Sequence, residues 1–504
     1  MVAGMKIRSK IIKPIAKVIA NRIDRWKRTA VADQEHIRRR LVERGRNTVY
    51  GKEHQFDKIG SSSAFSTYVP LIDYEGLKPY IDRIKQGERN ILWPGRPKYF
   101  AKTSGTTSGV KYIPLTRDSM PNHFGSARNA LLNYAAKTGK AGFFDGKMIF
   151  LSGSPELDTS SVIPTGRLSG IVNHEVPAWL RKSQVPSYNT NCIEDWELKV
   201  DAIVKETVNL DMRLISGIPP WVQMYLERLL EVSGKKDIMH LFPNFSMFVY
   251  GGVNYEPYRN TLEKLFGTSV DSVETFPASE GFFAFQDEQD DSSLLLNTQS
   301  GIYFEFVELE EMARDKPTRV PLEGVRIGVP YAIIVNNNAG LWGYNIGDVV
   351  TFTSVDPYKI VFTGRVSHYI SAFGEHVIGK EVEDSLKEAI GDTGVKIAEF
   401  SVAPQVNPGG GRLPFHEWLI EFEVMPADLE AFRLKIDSAL ARRNIYYNDL
   451  ITGNILQTLQ IVPLKKGSFI TYMRENGKLG GQNKVPRLTN DRKIADALHE
   501  INNR

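Results

Sequence analysis

The chain has 504 residues, which exceeds one ordinary domain and suggests two or three with a sizeable core. Apolar residues make up 42% and charged residues 24%, the balance of a soluble globular protein. The formal net charge is only +4 and no Arg/Lys stripe is interleaved with stacking aromatics, so nucleic acid is excluded as a partner.

The first segment, 5–28, repeats Ile11, Ile12, Ile15, Val18, Ile19, Ile23 and Trp26 at helical spacing. Lys10, Lys13, Lys17, Arg22 and Arg25 lie between them. A basic amphipathic helix can rest on an anionic membrane, but the expectation here is packing on its own domain, without membrane association. Lys13 and Lys17 interrupt any signal-peptide core, and no run approaches the roughly 20 apolar residues of a membrane span. Helices are expected over 32–45 and 74–86. Strands over 98–101 and 111–115 flank a Thr/Ser/Gly loop, and a helix over 118–137 follows, with Thr116 or Asp118 as N-cap. Strands at 148–152, 213–216, 245–250 and 270–275 then alternate with helices at 193–209 and from Pro219, the mark of α/β layers. The single cysteine, Cys192, allows no internal disulfide and fits a reducing cytoplasm. Its neighbours Asn191 and Ile193 offer no activating cation, so it reads as an inert thiol. From 294 to 362 the pattern is strand-rich. After Gly364-Arg365 a helix over 381–390, strands over 397–403 and 418–424 and a helix over 427–445 outline a small α+β domain. The boundary falls at 362–365, giving domains 1–363 and 364–504.

Four segments can carry chemistry. Thr103-Ser104-Gly105-Thr106-Thr107-Ser108-Gly109 supplies backbone N–H groups, short hydroxyls and little bulk, as a phosphate cradle needs. Its spacing is not that of a Walker loop, and a solvated hairpin tip would read the same. Phe276-Pro277-Ala278-Ser279-Glu280 places a carboxylate past a strand, where it can hold a metal ion against phosphates. Asp348, in Tyr344-Asn345-Ile346-Gly347-Asp348, can accept both hydroxyls of a ribose or close an Asx-turn. Lys484, in Gly481-Gln482-Asn483-Lys484, can reach a phosphate as a mobile charge or simply face solvent. No Cys/His cluster suggests zinc and no G-x-S-x-G elbow is present.

Taken in this order, the four segments resemble the acyl acid-amido synthetases of the Gretchen Hagen 3 family, within the wider adenylate-forming superfamily. The family's S-S-G-T-S-x-G-x-x-K is similar to residues 103–112, its Y-A-S-S-E to 276–280 and its Y-R-V-G-D to 344–348. Ala339-Gly340-Leu341, Tyr303-Phe304-Glu305-Phe306 and Gln482-Asn483-Lys484-Val485-Pro486-Arg487 are similar to family text as well, so the resemblance covers about residues 30–490. There are departures: the first motif's Lys falls on Tyr112 with Lys111 one place early, the third motif's Arg is Asn345, and the plant linker lysine falls at His376. The resemblance implies an α/β fold, with a large adenylate-forming domain of α/β layers and a β-rich part, and a small mobile α+β C-terminal domain. It implies ATP-dependent activation of a small carboxylic acid as acyl-adenylate, then transfer to an amine, expected to be an amino acid. ATP and Mg²⁺ would be required. Thr103, Ser104, Gly105, Thr106 and Thr107 would hold phosphates, and Glu280 would act through Mg²⁺. Asp348 and Arg365 would hold the ribose. Phe276, with Gly251 and Gly252, would line the adenine slot, and Ala278 and Ser279 would also bind the nucleotide. Lys484 would stabilise the transition state of the first half-reaction. Trp221, Phe282, Phe283 and His123 are candidates for the acyl pocket. The alternatives are acyl transfer to coenzyme A, or nucleotide binding without turnover.

Overall fold

The computed structural model describes residues 7–104, 110–176, 181–193, 196–252, 255–312, 314–365, 369–370, 377–406, 408–409, 412–452, 456–479, 484–489 and 491–504. They form two compact units, one of Met1–Ile346 with Thr351–Val361, the other of Gly347–Val350 with Phe362–Arg504.

In the larger unit, α1 (Ile7–Gly45) joins the two expected N-terminal helices into one of 39 residues. Ala16, Ile23 and Trp26 are buried among Phe143, Met148, Leu214 and Met247, so the first helix packs on its own domain. Ile11, Ile15 and Val18 on its other face remain exposed. In α2 (Tyr74–Lys85) the Asp73 side chain accepts from the Gly76 N–H, satisfying one of the orphan donors of a helix start. β1 (Tyr99–Ser104) and β2 (Val110–Leu115) form an antiparallel hairpin. The helix that follows, α3 (Met120–Thr138), starts two residues later than expected, and neither Thr116 nor Asp118 is its N-cap; Ser119 precedes it. Thr116 and Ser119 instead exchange hydrogen bonds, each backbone N–H to the other's hydroxyl at 2.9 and 3.1 Å, closing a turn ahead of the helix.

The strands that follow are β3 (Lys147–Phe150), β4 (Thr165–Gly166), β5 (Gln184–Val185), β6 (Met212–Ser216), β7 (Met247–Gly251), β8 (Asp271–Ala278), β9 (Gly281–Gln286), β10 (Leu294–Leu296), β11 (Ile302–Glu308), β12 (Arg319–Pro321), β13 (Pro330–Asn337), β14 (Tyr344–Val355) and β15 (Tyr358–Arg365). Except for β4, which lies parallel to β1, they form one sheet of 12 strands in the order β12-β11-β13-β14-β15-β10-β9-β8-β7-β6-β3-β5. The run β5-β3-β6-β7-β8 is parallel and the pairs β8–β9, β9–β10, β10–β15, β11–β12 and β11–β13 are antiparallel. Alternation along the parallel strands explains their continuous apolar text. Met148, Leu214, Met247 and Val273 face α1 and α3. Ile149, Ile215 and Phe248 face the other way, with Val200 and Ile203 of α5 (Trp196–Thr207), Val222 and Leu226 of α6 (Pro219–Ser233), and Leu262 of α7 (Glu256–Phe266). The short α4 (Leu168–Glu175) precedes these three in the chain.

In the smaller unit, β16 (Tyr369–Ile370) pairs with β17 (Val377–Ile378), and β18 (Lys396–Gln405), β19 (Phe415–Val424) and β20 (Gln460–Leu464) make a three-stranded sheet. Phe400, Val402, Trp418 and Ile420 pack under α8 (Gly379–Ile390) and α9 (Leu429–Arg443). Ala403, Leu419 and Leu464 pack under α10 (Ser468–Glu475) and α11 (Lys493–Asn503), which with β20 were not expected from the sequence.

Candidate active site

The β1–β2 hairpin sets Thr103 opposite Lys111 and Lys102 opposite Tyr112. Ser104 ends β1, while Gly105, Thr106 and Thr107 lie outside the described residues. The base of the loop is anchored by Tyr74, whose hydroxyl accepts the Tyr112 N–H at 2.9 Å. Lys85 Nζ lies 3.0 Å from the Tyr112 ring centroid. Where the family motif has a lysine, this chain therefore offers an aromatic ring under a lysine from α2. Burial lowers the pKa of that Lys85 amine.

The second motif is a β-hairpin tip. Ala278 pairs with Gly281, leaving Ser279 and Glu280 as the two turn residues between β8 and β9. Phe276 is buried, edge-on to Phe283 with centroids 5.3 Å apart. The Glu280 carbonyl accepts from Asn337 Nδ2 at 2.7 Å. Asn337 Oδ1 in turn accepts the N–H groups of Ala339 and Leu341 at 2.9 and 3.1 Å, so one side chain ties the second motif to the turn before the third.

The third motif lies within a strand. Tyr344 opens β14, and Asp348, the fifth residue of that strand, is buried. Asp348 lies inside the strand and not at a turn; the turn is farther back, at Gly343. A Cβ at Gly343 would stand 2.0 Å from the Pro70 carbonyl oxygen, at φ +54°, so only glycine fits. Ile72 clamps this turn, donating to the Gly343 carbonyl at 2.9 Å and accepting the Asn345 N–H at 2.8 Å. The Tyr344 phenol has its pKa raised, first by burial and then by the charges of Glu280, Tyr74 and Asp73. The tip of the second motif, the start of the third and the tyrosine beneath the first thus converge inside the larger unit. Asn336 completes the clamp by accepting the Gly343 N–H at 2.6 Å, and Asn338 donates to the Asp118 carbonyl at 2.8 Å. Tyr74 and the Asn336-Asn337-Asn338 run are absent from the sequence-derived site. A triple asparagine closing a buried strand was the available signal.

Gly252 follows β7 with φ +72°, at the carboxyl end of the parallel strands, beside the β8 end that carries Phe276. Trp221 belongs to the core on one face of the sheet and Phe282 to the core on the other, so these two do not share a wall. Phe283 is fully buried between Phe276 and Phe304. His123 is buried on α3, and burial pushes its imidazole pKa down to about 4. Arg365 ends β15, and His376 lies outside the described residues. Among the described residues no three His, Cys, Asp or Glu side chains converge as a self-contained metal site.

In the smaller unit Lys484 is exposed, just ahead of a segment pinned to β18. The Val402 N–H donates to the Arg487 carbonyl and the Thr489 N–H to the Val402 carbonyl, both at 2.9 Å. The Ser401 hydroxyl donates to the Pro486 carbonyl at 2.7 Å. Arg487 pairs with Glu399 and stacks on Phe400, its guanidinium 4.5 Å from the ring centroid. Lys484 thus stands just ahead of the anchored residues 486–489.

Comparison with known proteins places this arrangement. The chain is 22% identical to the indole-3-acetic acid-amido synthetase GH3.3 of Arabidopsis thaliana over 92% of this chain and 90% of that protein. It is 23% identical to the jasmonoyl–L-amino acid synthetase JAR4 of Nicotiana attenuata, over 63% of this chain and 66% of that one. The structure of a GH3.15 acyl acid amido synthetase superposes with a TM-score of 0.79 at 15% identity, covering 96% of both chains, and so has the same fold. Family models match the chain as the GH3 family N-terminal domain at 19–189, central domain at 295–365 and C-terminal domain at 380–493. The chain belongs to the GH3 family.

Proposed function

We propose that this protein is an ATP-dependent ligase that activates a carboxylic acid as its acyl-adenylate and transfers the acyl group to an amino acid. The observation that carries the reading is the convergence of the glycine-loop hairpin, the Ser279-Glu280 tip and the Tyr344 turn on Tyr74 and Asn337. The named activities of the GH3.3 and JAR4 relatives, which join an acid to an amino acid, support it.

In the first half-reaction a carboxylate oxygen attacks the α-phosphorus of ATP and the bond to the β-phosphate breaks, releasing pyrophosphate. In the second the amine attacks the acyl carbon, the bond to AMP breaks and the amine loses a proton. Positioning and charge neutralisation carry such a step. The 103–107 loop would hold the phosphates from its rigid hairpin base. Gly252, Phe276, Ala278 and Ser279 would frame the adenine. Asp348 and Arg365 would hold the ribose, and Lys484 would meet the charge that develops at the α-phosphate. Glu280 offers a hard oxygen donor on a fixed turn, which suits Mg²⁺ shared with phosphate oxygens. When bound, that ion would neutralise charge between the phosphates. The lone Cys192 is consistent with a cytoplasmic setting.

The test of the acceptor is to form the acyl-adenylate and offer coenzyme A or a mixture of amino acids, reading products by mass spectrometry. Amide is expected. Thioester without amide would refute the amino-acid acceptor and leave adenylation standing.

A further inference from the structure

At the carboxyl end of β3 two cations converge on adjacent residues. Lys199, on α5, is buried and donates to the carbonyls of Ser152 at 2.9 Å and Asn191 at 2.7 Å. Arg167, the residue before α4, lies against Gly153, where a Cβ would stand 2.8 Å from its Cδ and 3.3 Å from Nη1. Gly153 thus leaves the space that the guanidinium occupies.

The two cations are not equally satisfied. Lys199 is held by carbonyls. Arg167 is half-buried, and among the described residues no group is hydrogen-bonded or ion-paired to its guanidinium. Burial lowers its pKa. Burial likewise brings the Lys199 amine down to about 8, opposed by Cys192 and reinforced by Arg167. Other withdrawn arginines in this chain carry a carboxylate: Arg38 has Glu35, Arg319 has Glu305, Arg433 has Glu430 and Arg492 has Glu417. A guanidinium stays charged at every accessible pH, so withdrawing one without a counter-charge disfavours folding. It becomes useful when an anion arrives from outside.

The location says which anion. In open α/β sheets ligands bind beyond the carboxyl ends of the parallel strands. β3 is three places from β8 in the order β8-β7-β6-β3, which at the usual strand spacing is roughly 14 Å along the same edge. Gly252 and the Phe276–Glu280 turn lie at the β7 and β8 end of that edge. A molecule that begins at those residues and extends along the edge ends at Arg167, within the length of an acyl-adenylate.

We propose that Arg167, backed by Lys199, is an anion subsite that holds a second carboxylate of the acyl substrate, remote from the one that is adenylated, so that the acid is a dicarboxylate. The inference rests on the adenylation reading. Arg167 would grip the distal carboxylate through its planar fork, while Lys199, fixed on the Ser152 and Asn191 carbonyls, adds positive potential behind it. The α-carboxylate of the amino-acid acceptor is the other source of the same chemistry, and the experiment separates the two.

ATP–pyrophosphate exchange is run without any acceptor, on a panel of matched acids: pentanoate with glutarate, hexanoate with adipate, benzoate with isophthalate. The wild type is expected to favour the dicarboxylate of a pair. Arg167→Leu should raise KM for that acid by roughly 10- to 100-fold, the worth of one charged hydrogen-bonded contact, while KM for ATP holds. Arg167→Lys should recover part of the loss. A melting curve for each variant separates binding from folding. Preference for the monocarboxylates, or an unchanged KM for the acid in Arg167→Leu, overturns the inference and leaves adenylation intact. A rise confined to KM for the amino acid in the amide-forming step also overturns it, assigning the subsite to the acceptor. No exchange by the wild type with any acid removes the adenylation reading and this inference with it.

Discussion

Arg319 is almost wholly buried at one end of the large sheet and Arg167 is half-buried beyond β3 toward the other, and their surroundings differ. Arg319, on the edge strand β12, is ion-paired with Glu305 of β11, and both side chains are almost wholly buried. The Glu305 carboxylate also accepts from Ser66 Oγ and Asn336 Nδ2, each at 2.9 Å. At the other end, beyond β3, Arg167 has no such carboxylate among the described residues. At the antiparallel end the Arg319 and Glu305 charges close on one another. The carboxyl edge of the parallel half gathers Gly153 and Gly252 with Arg167 and Lys199. Burial alone therefore does not separate scaffold from site; the partner does.

Removing the carboxylate from the antiparallel end should have the largest effect. Glu305→Gln leaves Arg319 charged, buried and without a counter-ion, and should lower the unfolding free energy by about 3–5 kcal/mol in urea denaturation. A loss below about 1 kcal/mol would mean that Arg319 finds solvent, and the contrast with Arg167 would fail.

His123 sharpens the comparison through pH. Its imidazole titrates near 6.5 when unperturbed and near 4 in the folded protein. Between those values the unfolded chain binds a proton that the folded chain refuses, so stability rises with pH across this window. The contribution is complete above pH 6.5 and is lost as the pH falls toward 4. A shift of that size corresponds to roughly 3 kcal/mol. His123→Leu should flatten the acid limb of stability between these values; an unchanged limb would place the imidazole in water.

The smallest effect is expected at Arg167. In the same denaturation series Arg167→Leu should shift stability by less than about 1 kcal/mol, since no partner among the described residues is orphaned. A loss as large as that of Glu305→Gln would make Arg167 a scaffold residue.

The parts of the fold legible in the sequence were those encoded locally. The alternating residues of β3, β6 and β7 and the helical face of α1 name their own partners through periodicity. The start of α3 was misplaced because the Thr116 and Ser119 hydroxyls accept one another's backbone N–H instead of capping, a choice that short polar side chains leave open. β20, α10 and α11 were not anticipated, because their weaker patterns gain meaning only against the buried face of β18 and β19. The site was legible as motifs and illegible as a constellation. Tyr74 lies far from the glycine loop in sequence, and its role is one hydroxyl accepting the Tyr112 N–H. Two of the three asparagines act through side-chain contacts on distant segments, at Glu280 and Asp118, and the third on the nearby Gly343 turn. Arg167 looks like any other arginine until its surroundings among the described residues are seen to hold no paired carboxylate.

The central claim is adenylation, and acid-dependent ATP–pyrophosphate exchange measured side by side for the wild type and Lys484→Ala tests it most directly. The wild type should exchange only when a carboxylic acid is present. Lys484→Ala should slow exchange by roughly 10²–10³-fold, the usual effect of losing one preorganised charge at a transition state, with ATP affinity nearly unchanged because the contact forms late. A wild type that binds ATP without acid-dependent exchange, or a Lys484→Ala variant that exchanges at the wild-type rate, would contradict it.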